Sequence, residues 1–394
     1  MFMMTHSDPS NSFIRNEREA KIAARADQLA AIFAERAPKH DLDGTFPFEN
    51  FNELRETGYL ALTVPKQYGG EEASIYELVL SQERLARGDG STALAVGWHI
   101  GLLKQLHLSG ACPEPLFSEL CHEVVNDGLV MNELASERAT GSPTRGGKPQ
   151  TKAVKVDGGW LISGQKSFCT LSPILKKFII SATMSDTDTV GSFLVEAGEG
   201  VEIIETWNTI GMRSTGSHDI VMNEVFVPDR HLIRGRASDQ LRKPVPTDGN
   251  MLHIPACYLG IAHGARDFAI DFAAKHQPNS LQTPIAELPN IKRLIGEIEL
   301  DLTTARTYLY HTADRWDKEV DNRAELKIEL GVAKHVATNA ALRVVDHAMR
   351  IVGGLSLSRA FPLERMYRDV RAGLHNPPMD DIVITNLANR ALGK

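Results

Sequence analysis

A histidine lies at an unusual bend close to the C-terminal end of the sequence. The segment from Arg368 to Asp381 reads RDVRAGLHNPPMDD, so His375 follows an amphipathic run and precedes Asn376 and two prolines. Proline lacks a backbone N–H and disfavours helix in the residue before it, so the chain must bend here. Because imidazole can exchange protons near neutral pH, His375 is a candidate pocket residue for acid–base or hydrogen-bonding chemistry.

Four other side chains could do similar chemistry, but simpler roles compete with it. His99 lies in the apolar segment AVGWHIGLL, where a histidine at the edge of a helical core is favoured over a catalytic one. Asp380 and Asp381 precede the apolar run IVITNLANRAL, which favours helix-capping and first-turn roles. Asp248, in the segment TDGN, is most simply a turn residue.

The composition argues against several classes of function. The 394 residues are 42% hydrophobic and 24% charged, with a formal net charge of -7, which argues against a nucleic-acid or anionic-membrane surface. The four cysteines have no CxxC or zinc-site spacing, so no metal site is expected and a reducing compartment is favoured. Neither a secretory signal pattern nor an apolar run of 18 residues is found, so we expect a cytoplasmic protein without membrane insertion.

The hydrophobic periodicity changes twice along the chain and predicts three domains. Helical spacing dominates residues 1–130, and short β-type runs such as KFIISATM and SFLVEA dominate residues 131–235. Helical spacing returns over residues 236–394, including the Ala-rich segment LGVAKHVATNAALRVVDHAMRIVGG. The sequence therefore predicts a mainly α fold with a central β domain.

This order of elements, together with four motifs, resembles the acyl-CoA dehydrogenase superfamily. The motifs VPKQYGG, ISGQKSF, WNTIGMRSTGSHDIVMNEVFVP and RIVGG followed by FPLERMYRDVR occur in the order of that family and at similar distances. The resemblance covers nearly the whole chain. It implies an N-terminal helical domain, a barrel-like β domain and a C-terminal four-helix bundle, assembled as a homo-oligomer, with a tetramer expected, that binds FAD.

The resemblance also implies a set of flavin-binding residues. In LASERATGSP, Ser136, Gly141 and Ser142 match positions whose hydroxyl and backbone N–H groups approach the flavin ring and pyrophosphate. In GQKSFCT, Phe168 matches an aromatic residue that covers one face of the ring, and Thr170 matches the hydroxyl at N5, where hydride is exchanged. Taken alone, the two serines would read as a solvated turn and Phe168 equally well as a core residue.

The motif RIVGG supplies the third flavin element. Arg350 replaces a glutamine of the family, whereas Gly353 and Gly354 match two glycines that let the FAD of a neighbouring subunit pass close to the backbone. A glycine pair after a helix is also an ordinary C-cap. The family's Arg-x-x-Phe, whose arginine meets the FAD pyrophosphate, has no counterpart in AAKHQPNSLQTPIAELPN, so FMN remains an alternative to FAD.

The resemblance raises a question about the catalytic base. Dehydrogenases of the family use a glutamate to remove the proton α to a thioester carbonyl while hydride leaves for flavin N5. Its two usual positions correspond here to Pro377 and to about Asn250, with Met251 at the position of a substrate-contacting arginine. Neither residue is acidic, so a carboxylate would have to come from Asp248 or from the pair Asp380 and Asp381.

Three functional interpretations follow from the resemblance. The first is a flavoprotein oxidoreductase of acyl-CoA dehydrogenase type, with hydride transfer at N5, an acyl-CoA-like small-molecule substrate and an electron-transfer flavoprotein as partner. The alternative is a two-component monooxygenase supplied by a flavin reductase, in which His375, His99 and Thr170 would protect a C4a-hydroperoxide; SFCT resembles the S-F-C-S of that branch. The third is a non-catalytic flavin- or CoA-binding protein, against which the retained Phe168 and Thr170 count.

Overall fold

The computed structural model describes residues 9–140, 147–235 and 248–393. Five helices come first in the chain: α1 (Glu17–Asp43), α2 (Phe48–Glu56), α3 (Ile75–Ala86), α4 (Gly90–Ser109) and α5 (Glu114–Asp127). Eight strands follow: β1 (Glu133–Leu134), β2 (Lys152–Val156), β3 (Gly159–Cys169), β4 (Lys177–Met184), β5 (Val190–Glu196), β6 (Val201–Ile204), β7 (His218–Pro228) and β8 (Leu232–Arg234). The last helices are α6 (His253–Lys275), α7 (Pro289–Lys318), α8 (Lys327–Val352), α9 (Leu363–Val370) and α10 (Asp380–Ala391). The predicted mainly α fold with a central β domain is confirmed.

Polar side chains fix where the N-terminal helices begin. The Asn16 side chain accepts a hydrogen bond from the backbone of Glu19 at the start of α1. Ser74 and Glu77 form a reciprocal capping box at the start of α3, and Asp89 accepts from two backbone N–H groups at the start of α4. Each such cap contributes about 1 kcal/mol to helix stability. These caps set the positions of α3 and α4, which are almost entirely buried.

The strands form one sheet whose order differs from the order of the chain. The path runs β6-β7-β3-β2-β4-β5-β8, and β1 adds to β4 in parallel. The long antiparallel pair of β3 and β7 has Trp160 opposite Val227, and its register shifts twice, once between Lys166 and Cys169. Such shifts mark β-bulges, which bend a strand and turn one side chain in a new direction.

The two helical blocks pack directly on one another. Helices α6, α7 and α8 contact each other, and α3 packs against α6. Gly260 allows the closest approach, because a Cβ at this position would lie 2.1 Å from the carbonyl oxygen of Glu83 on α3. Glu83 is also the acceptor for Arg306 and for the hydroxyl of Tyr310, both on α7. The early helices therefore serve as one wall of the C-terminal bundle.

One buried ion pair joins the strands of the sheet. Lys166 Nζ on β3 lies 2.7 Å from Glu137 Oε1, and it also donates to the Ser181 carbonyl on β4 at 2.6 Å. Both charged side chains of the pair are nearly inaccessible to solvent. The other oxygen contacts of Glu137 go to the backbone of Gln150 and to Thr151, so the carboxylate is fully engaged.

Among the described residues, no helix combines the length and apolar character needed to cross a membrane.

We expect that replacing one partner of this buried pair will destabilise the protein strongly. Lys166→Met leaves the Glu137 carboxylate without its cation, which costs about 3–5 kcal/mol for a buried pair and should lower the thermal unfolding midpoint. The matched control is Lys155→Met, because Lys155 pairs with Asp229 at the surface and exposed pairs contribute little. Equal unfolding midpoints for the two variants would contradict the assignment of Lys166 as a structural cation.

Candidate functional site

A bulge turns Phe168 out of the sheet. The register of β3 against β7 shifts between Lys166 and Cys169, and Phe168 within this bulge has a φ of 59°. Its side chain is 66% exposed, which is unfavourable for an aromatic residue in water. The ring contacts Trp207 edge-on, with 6.1 Å between the ring centroids. An open aromatic face held in this way fits a planar ring such as a flavin.

Thr170 lies two residues further along, in a row of buried hydroxyl groups. Its Oγ1 is 2.9 Å from Ser217 Oγ, which in turn lies 2.7 Å from Thr215 Oγ1. The backbone carbonyl of Thr170 accepts a hydrogen bond from Asn132 Nδ2 at 3.0 Å. The Thr170 hydroxyl is therefore held in a fixed orientation beside Phe168, as a donor or acceptor to a ring edge would need to be.

The segment 207–212 connects this region to the C-terminal helices. Trp207 Nε1 donates to the Met212 carbonyl at 2.9 Å, and the Met212 backbone N–H donates to Asp369 Oδ1 at 2.6 Å. Burial raises the pKa of Asp369 to about 7, although Arg365 opposes this shift. Asp369 belongs to α9, which leads into the loop that carries the C-terminal histidine candidate. The β domain and this loop are thus fixed relative to one another.

His375 ends the short 3₁₀ turn that follows α9, and its side chain is exposed. The backbone on both sides is anchored: the His375 N–H donates to the Ala372 carbonyl at 3.0 Å, and Asn376 Oδ1 accepts from the hydroxyl of buried Tyr258. In the part of the chain that the structure describes, no hydrogen bond or ion pair engages the imidazole. The loop therefore presents a free imidazole on a fixed backbone.

The two expected positions of the catalytic glutamate hold no acid, and one of them is structurally committed. Pro377 follows Asn376 in the same loop. Asn250 is buried in the 3₁₀ turn before α6, where its Nδ2 donates to the Gly101 carbonyl at 3.3 Å and to Gln105 Oε1 at 3.2 Å. Both acceptors belong to α4, so the amide of Asn250 ties the turn to that helix.

The three aspartates named as substitutes have other places in the structure. Asp380 accepts from Asn339 at 2.9 Å, lies 3.1 Å from His335 Nδ1 and occupies the first turn of α10. Asp381 stands beside it in that turn and is exposed. Asp248 is exposed at the start of its 3₁₀ turn. Helix-terminal and turn roles therefore account for all three.

The geometry of His99 does not support a catalytic role. The residue is fully buried; its Nε2 lies 3.1 Å from the Leu60 carbonyl, and its Nδ1 accepts the backbone N–H of Met131 at 3.0 Å. Burial lowers the pKa of His99 to about 4, so the ring is neutral and both nitrogens are occupied. His99 joins α4 to the chain before β1, which makes it the core histidine that its apolar surroundings indicated.

Of the flavin-binding candidates in the segment LASERATGSP, the structure describes only Ser136. Ser136 lies beside β3, since its carbonyl accepts from the Ser167 N–H at 2.9 Å, and it therefore neighbours Phe168. Gly141 and Ser142 lie outside the described residues.

The motif after α8 forms an open groove. A Cβ added at Gly353 or Gly354 would meet no atom within 4 Å, and Gly353 has a φ of 70°. Arg350 is exposed and pairs with Asp346 one turn earlier. These residues line a groove of about 700 Å³ together with Met349, Ser356, Leu357, Glu364, Tyr367 and Arg368.

Sequence reasoning missed several residues that the fold brings to this region. Ser217 and Trp207 stand in the motif WNTIGMRSTGSHD, so that quoted segment could have identified them. Glu133 stands three residues before Ser136 and receives a hydrogen bond of 3.5 Å from Gln105 Nε2 on α4. Burial raises the pKa of Glu133, and Arg234 opposes the shift. The described residues include no cluster of His, Cys, Asp or Glu side chains that could hold a metal ion.

Comparison with known proteins identifies the family and agrees with the fold. Models of the acyl-CoA dehydrogenase N-terminal, middle and C-terminal domains match residues 16–111, 133–225 and 252–376. FMN-bound TdsC from Paenibacillus sp. A11-2 has a similar fold, with a TM-score of 0.86 at 22% identity over 95% of this chain and 97% of that one.

Two curated relatives match along nearly their whole length. SfnC of Pseudomonas putida, provisionally named an FMNH2-dependent monooxygenase, is 27% identical over 91% of each chain. YdbM of Bacillus subtilis (strain 168), provisionally named an acyl-CoA dehydrogenase, is 47% identical over 380 residues, which cover 96% of this chain and 98% of YdbM. The chain therefore belongs to the acyl-CoA dehydrogenase family of oxidoreductases.

Proposed function

We propose that this protein uses reduced flavin and oxygen to oxygenate a small-molecule substrate. The observation that carries the proposal is that neither expected position of the catalytic glutamate holds an acidic residue. Pro377 stands at the position in the loop, and Asn250 at the position in the turn before α6. A positioned general base contributes roughly 10²–10⁴-fold to proton abstraction, so removal of a proton α to a thioester would be slow without it. Monooxygenation by reduced flavin does not need that proton to be removed.

The residues around Phe168 fit a flavin ring. Phe168 would cover one face, and the Thr170 hydroxyl, oriented by Ser217, would form a hydrogen bond at the N5 edge. Ser136 would contribute at the pyrimidine side. A bound flavin supplies two-electron redox chemistry, and FMN or FAD would serve equally for the ring contacts.

His375 is the proposed proton-holding group at the edge of the site. Its imidazole is free while the backbone around it is anchored, so the ring can donate or accept a hydrogen bond without disturbing the fold. In the oxygenation reaction it would donate a hydrogen bond to reacting oxygen. The identity of 27% to SfnC supports this class of reaction, and a flavin reductase would then be the partner that supplies reduced flavin.

An acyl-CoA dehydrogenase is the second candidate function, because the name of YdbM points to it at 47% identity. In that case an acyl-CoA would transfer hydride to the flavin, and an electron-transfer flavoprotein would remove the electrons. This reaction requires a carboxylate that reaches the substrate from a position other than Pro377 or Asn250.

We also propose a homo-oligomer, with a tetramer expected. Gly353 and Gly354 leave space for a ligand of a neighbouring subunit, and the nearby Leu355 and Leu357 expose apolar side chains that a partner could cover. Arg350 lies on the rim of the same groove and would face the phosphates of the partner's cofactor.

We expect Phe168→Ala to weaken flavin binding by about 2–10-fold, because a stacked aromatic contact is worth roughly 0.5–1.5 kcal/mol. The exposed ring contributes little to the core, so the thermal midpoint of the apoprotein should not change. The measurement is a titration of the apoprotein with FMN and with FAD. Phe226→Ala, which removes an exposed phenylalanine from β7 of the same sheet, is the matched control and should bind flavin normally. Unchanged affinity in Phe168→Ala would refute the stacking role.

His375→Ala should accelerate the release of hydrogen peroxide from the protein loaded with reduced flavin and mixed with oxygen. Loss of one hydrogen bond to a charged group corresponds to about 1.5–3 kcal/mol, or roughly 10–100-fold in rate. The release is followed by a peroxidase-coupled assay, and the thermal midpoint is measured in parallel. His311→Ala, at an exposed position on α7, serves as control. A lowered thermal midpoint with an unchanged rate of hydrogen peroxide release would contradict this role and indicate that His375 is a structural residue.

The two candidate functions predict opposite results with acyl-CoAs. Oxidised flavoprotein mixed anaerobically with butyryl-CoA or octanoyl-CoA should bleach very slowly or not at all, because neither Pro377 nor Asn250 can remove the α proton. The reduced flavoprotein mixed with oxygen should consume oxygen before it releases hydrogen peroxide, which a stopped-flow comparison with free flavin would reveal. Rapid anaerobic bleaching by either acyl-CoA would establish the dehydrogenase and overturn the oxygenase.

A further inference from the structure

Glu133 has a carboxyl group to which the proposed reaction assigns no role. It begins β1, which pairs in parallel with β4 so that Glu133 lies opposite Ile179. The preceding residue, Asn132, donates from its side chain to the Thr170 carbonyl at 3.0 Å. Glu133 is therefore the sequence neighbour of the residue whose side chain holds the backbone of Thr170.

A row of polar side chains connects Glu133 to α4 and to the turn before α6. Gln105 Nε2 on α4 donates to Glu133 Oε2 at 3.5 Å, and Gln105 Oε1 accepts from Asn250 Nδ2 at 3.2 Å. Asn250 occupies one of the two positions at which the family was expected to keep its glutamate. A carboxyl group is therefore present at the other end of the row that begins at the vacated position.

The carboxyl of Glu133 has room for a further hydrogen-bond donor. Glu137, four residues along the chain, accepts four short hydrogen bonds, including one from Lys166, and these outweigh burial and lower its pKa. Glu133 has only the long bond from Gln105, and the charged group that acts on it from the surrounding described elements is Arg234 of β8. Its side chain is partly exposed. A partly buried carboxyl with so few donors favours a ligand that brings one.

We propose that Glu133 is the acid–base residue of the substrate pocket and replaces the glutamate absent at Pro377 and Asn250. The inference rests on the proposed flavin site at Thr170. The carboxylate would accept a hydrogen bond, and then the proton, from an N–H or O–H group on the reacting atom of the substrate. The substrate class that follows is a nucleophilic amine or hydroxyl compound, because its N–H or O–H group can donate the hydrogen bond that this carboxylate lacks. Gln105 is the positioning residue that orients the carboxylate.

The first test follows the visible spectrum of the FMN-loaded oxidised protein between pH 4 and pH 9. Ionisation of a carboxyl beside the ring should shift the flavin absorption with an inflection above the ordinary glutamate value of about 4.3. Glu133→Gln should remove this component, whereas Glu202→Gln, at an exposed position on β6, should retain it. Gln105→Leu should move the inflection to higher pH, because it removes a donor to the ionised form. Superimposable titrations of the wild type and Glu133→Gln would overturn the proposal.

The second test uses benzylamine as an N–H probe and toluene as its hydrocarbon counterpart, with binding measured by calorimetry on the full-length protein. Glu133→Gln should lose about 10-fold or more in affinity for benzylamine and none for toluene. Equal losses for the two probes, or no preference for benzylamine in the wild type, would refute the substrate class. Failure to bind FMN would contradict the proposed function. Calorimetry does not need bound flavin, so it would still test the role of Glu133 in that case.

Discussion

The hydrogen bond between the Met212 backbone and the Asp369 carboxyl is the contact on which the arrangement of the site depends. Met212 lies in the turn that holds Trp207 against Phe168, and Asp369 lies in the helix that leads to His375. The aromatic face belongs to the sheet and the imidazole belongs to the C-terminal helices, so the proposed site would need both domains. The contact is buried, and burial there raises the pKa of Asp369 to about 7. The free energy of this junction therefore depends on pH: its stabilisation is complete below the unfolded value and declines as pH rises through 7.

Burial and hydrogen-bond supply together distinguish the carboxyl groups around the site. Glu137 and Glu133 lie four residues apart, yet the pKa of the first is lowered and that of the second is raised. Glu137 has a lysine and three further donors, so it is a permanent anion that serves structure. Among the described residues, the side chain of Glu133 accepts one long hydrogen bond, from the amide of Gln105. A carboxyl that the protein leaves short of donors can change its protonation state during a reaction at modest cost to stability.

Sequence reasoning recovered what depends on local pattern and motif. The order of helices and strands followed from periodicity, and the bend at His375 followed from the two prolines after it. It could not recover the left-handed backbone at Phe168, because a bulge depends on the register of β3 against β7 and that register involves residues about 50 positions apart. The hydrogen bonds that link Glu133 to Asn250 through Gln105 could not be predicted either, since each of them joins residues far apart in the chain. For His99 the apolar surroundings favoured a core residue, and the structure shows that both ring nitrogens have backbone partners.

The position of the Glu133 carboxyl group within the fold affects which atom of a substrate it could reach. Pro377 and Asn250 both lie in the C-terminal part of the chain, whereas Glu133 lies on the sheet next to the residues that orient Thr170. A carboxyl that approaches from the sheet would meet a different atom of a bound substrate than one that approaches from the helices. At the same time Asn250 cannot easily regain an acid, because its amide donates to the Gly101 carbonyl and to Gln105, and a carboxylate there would face two acceptors. The same hydrogen bonds that fix α4 against the turn before α6 therefore keep position 250 neutral, and the carboxyl group proposed for the pocket comes from the strand.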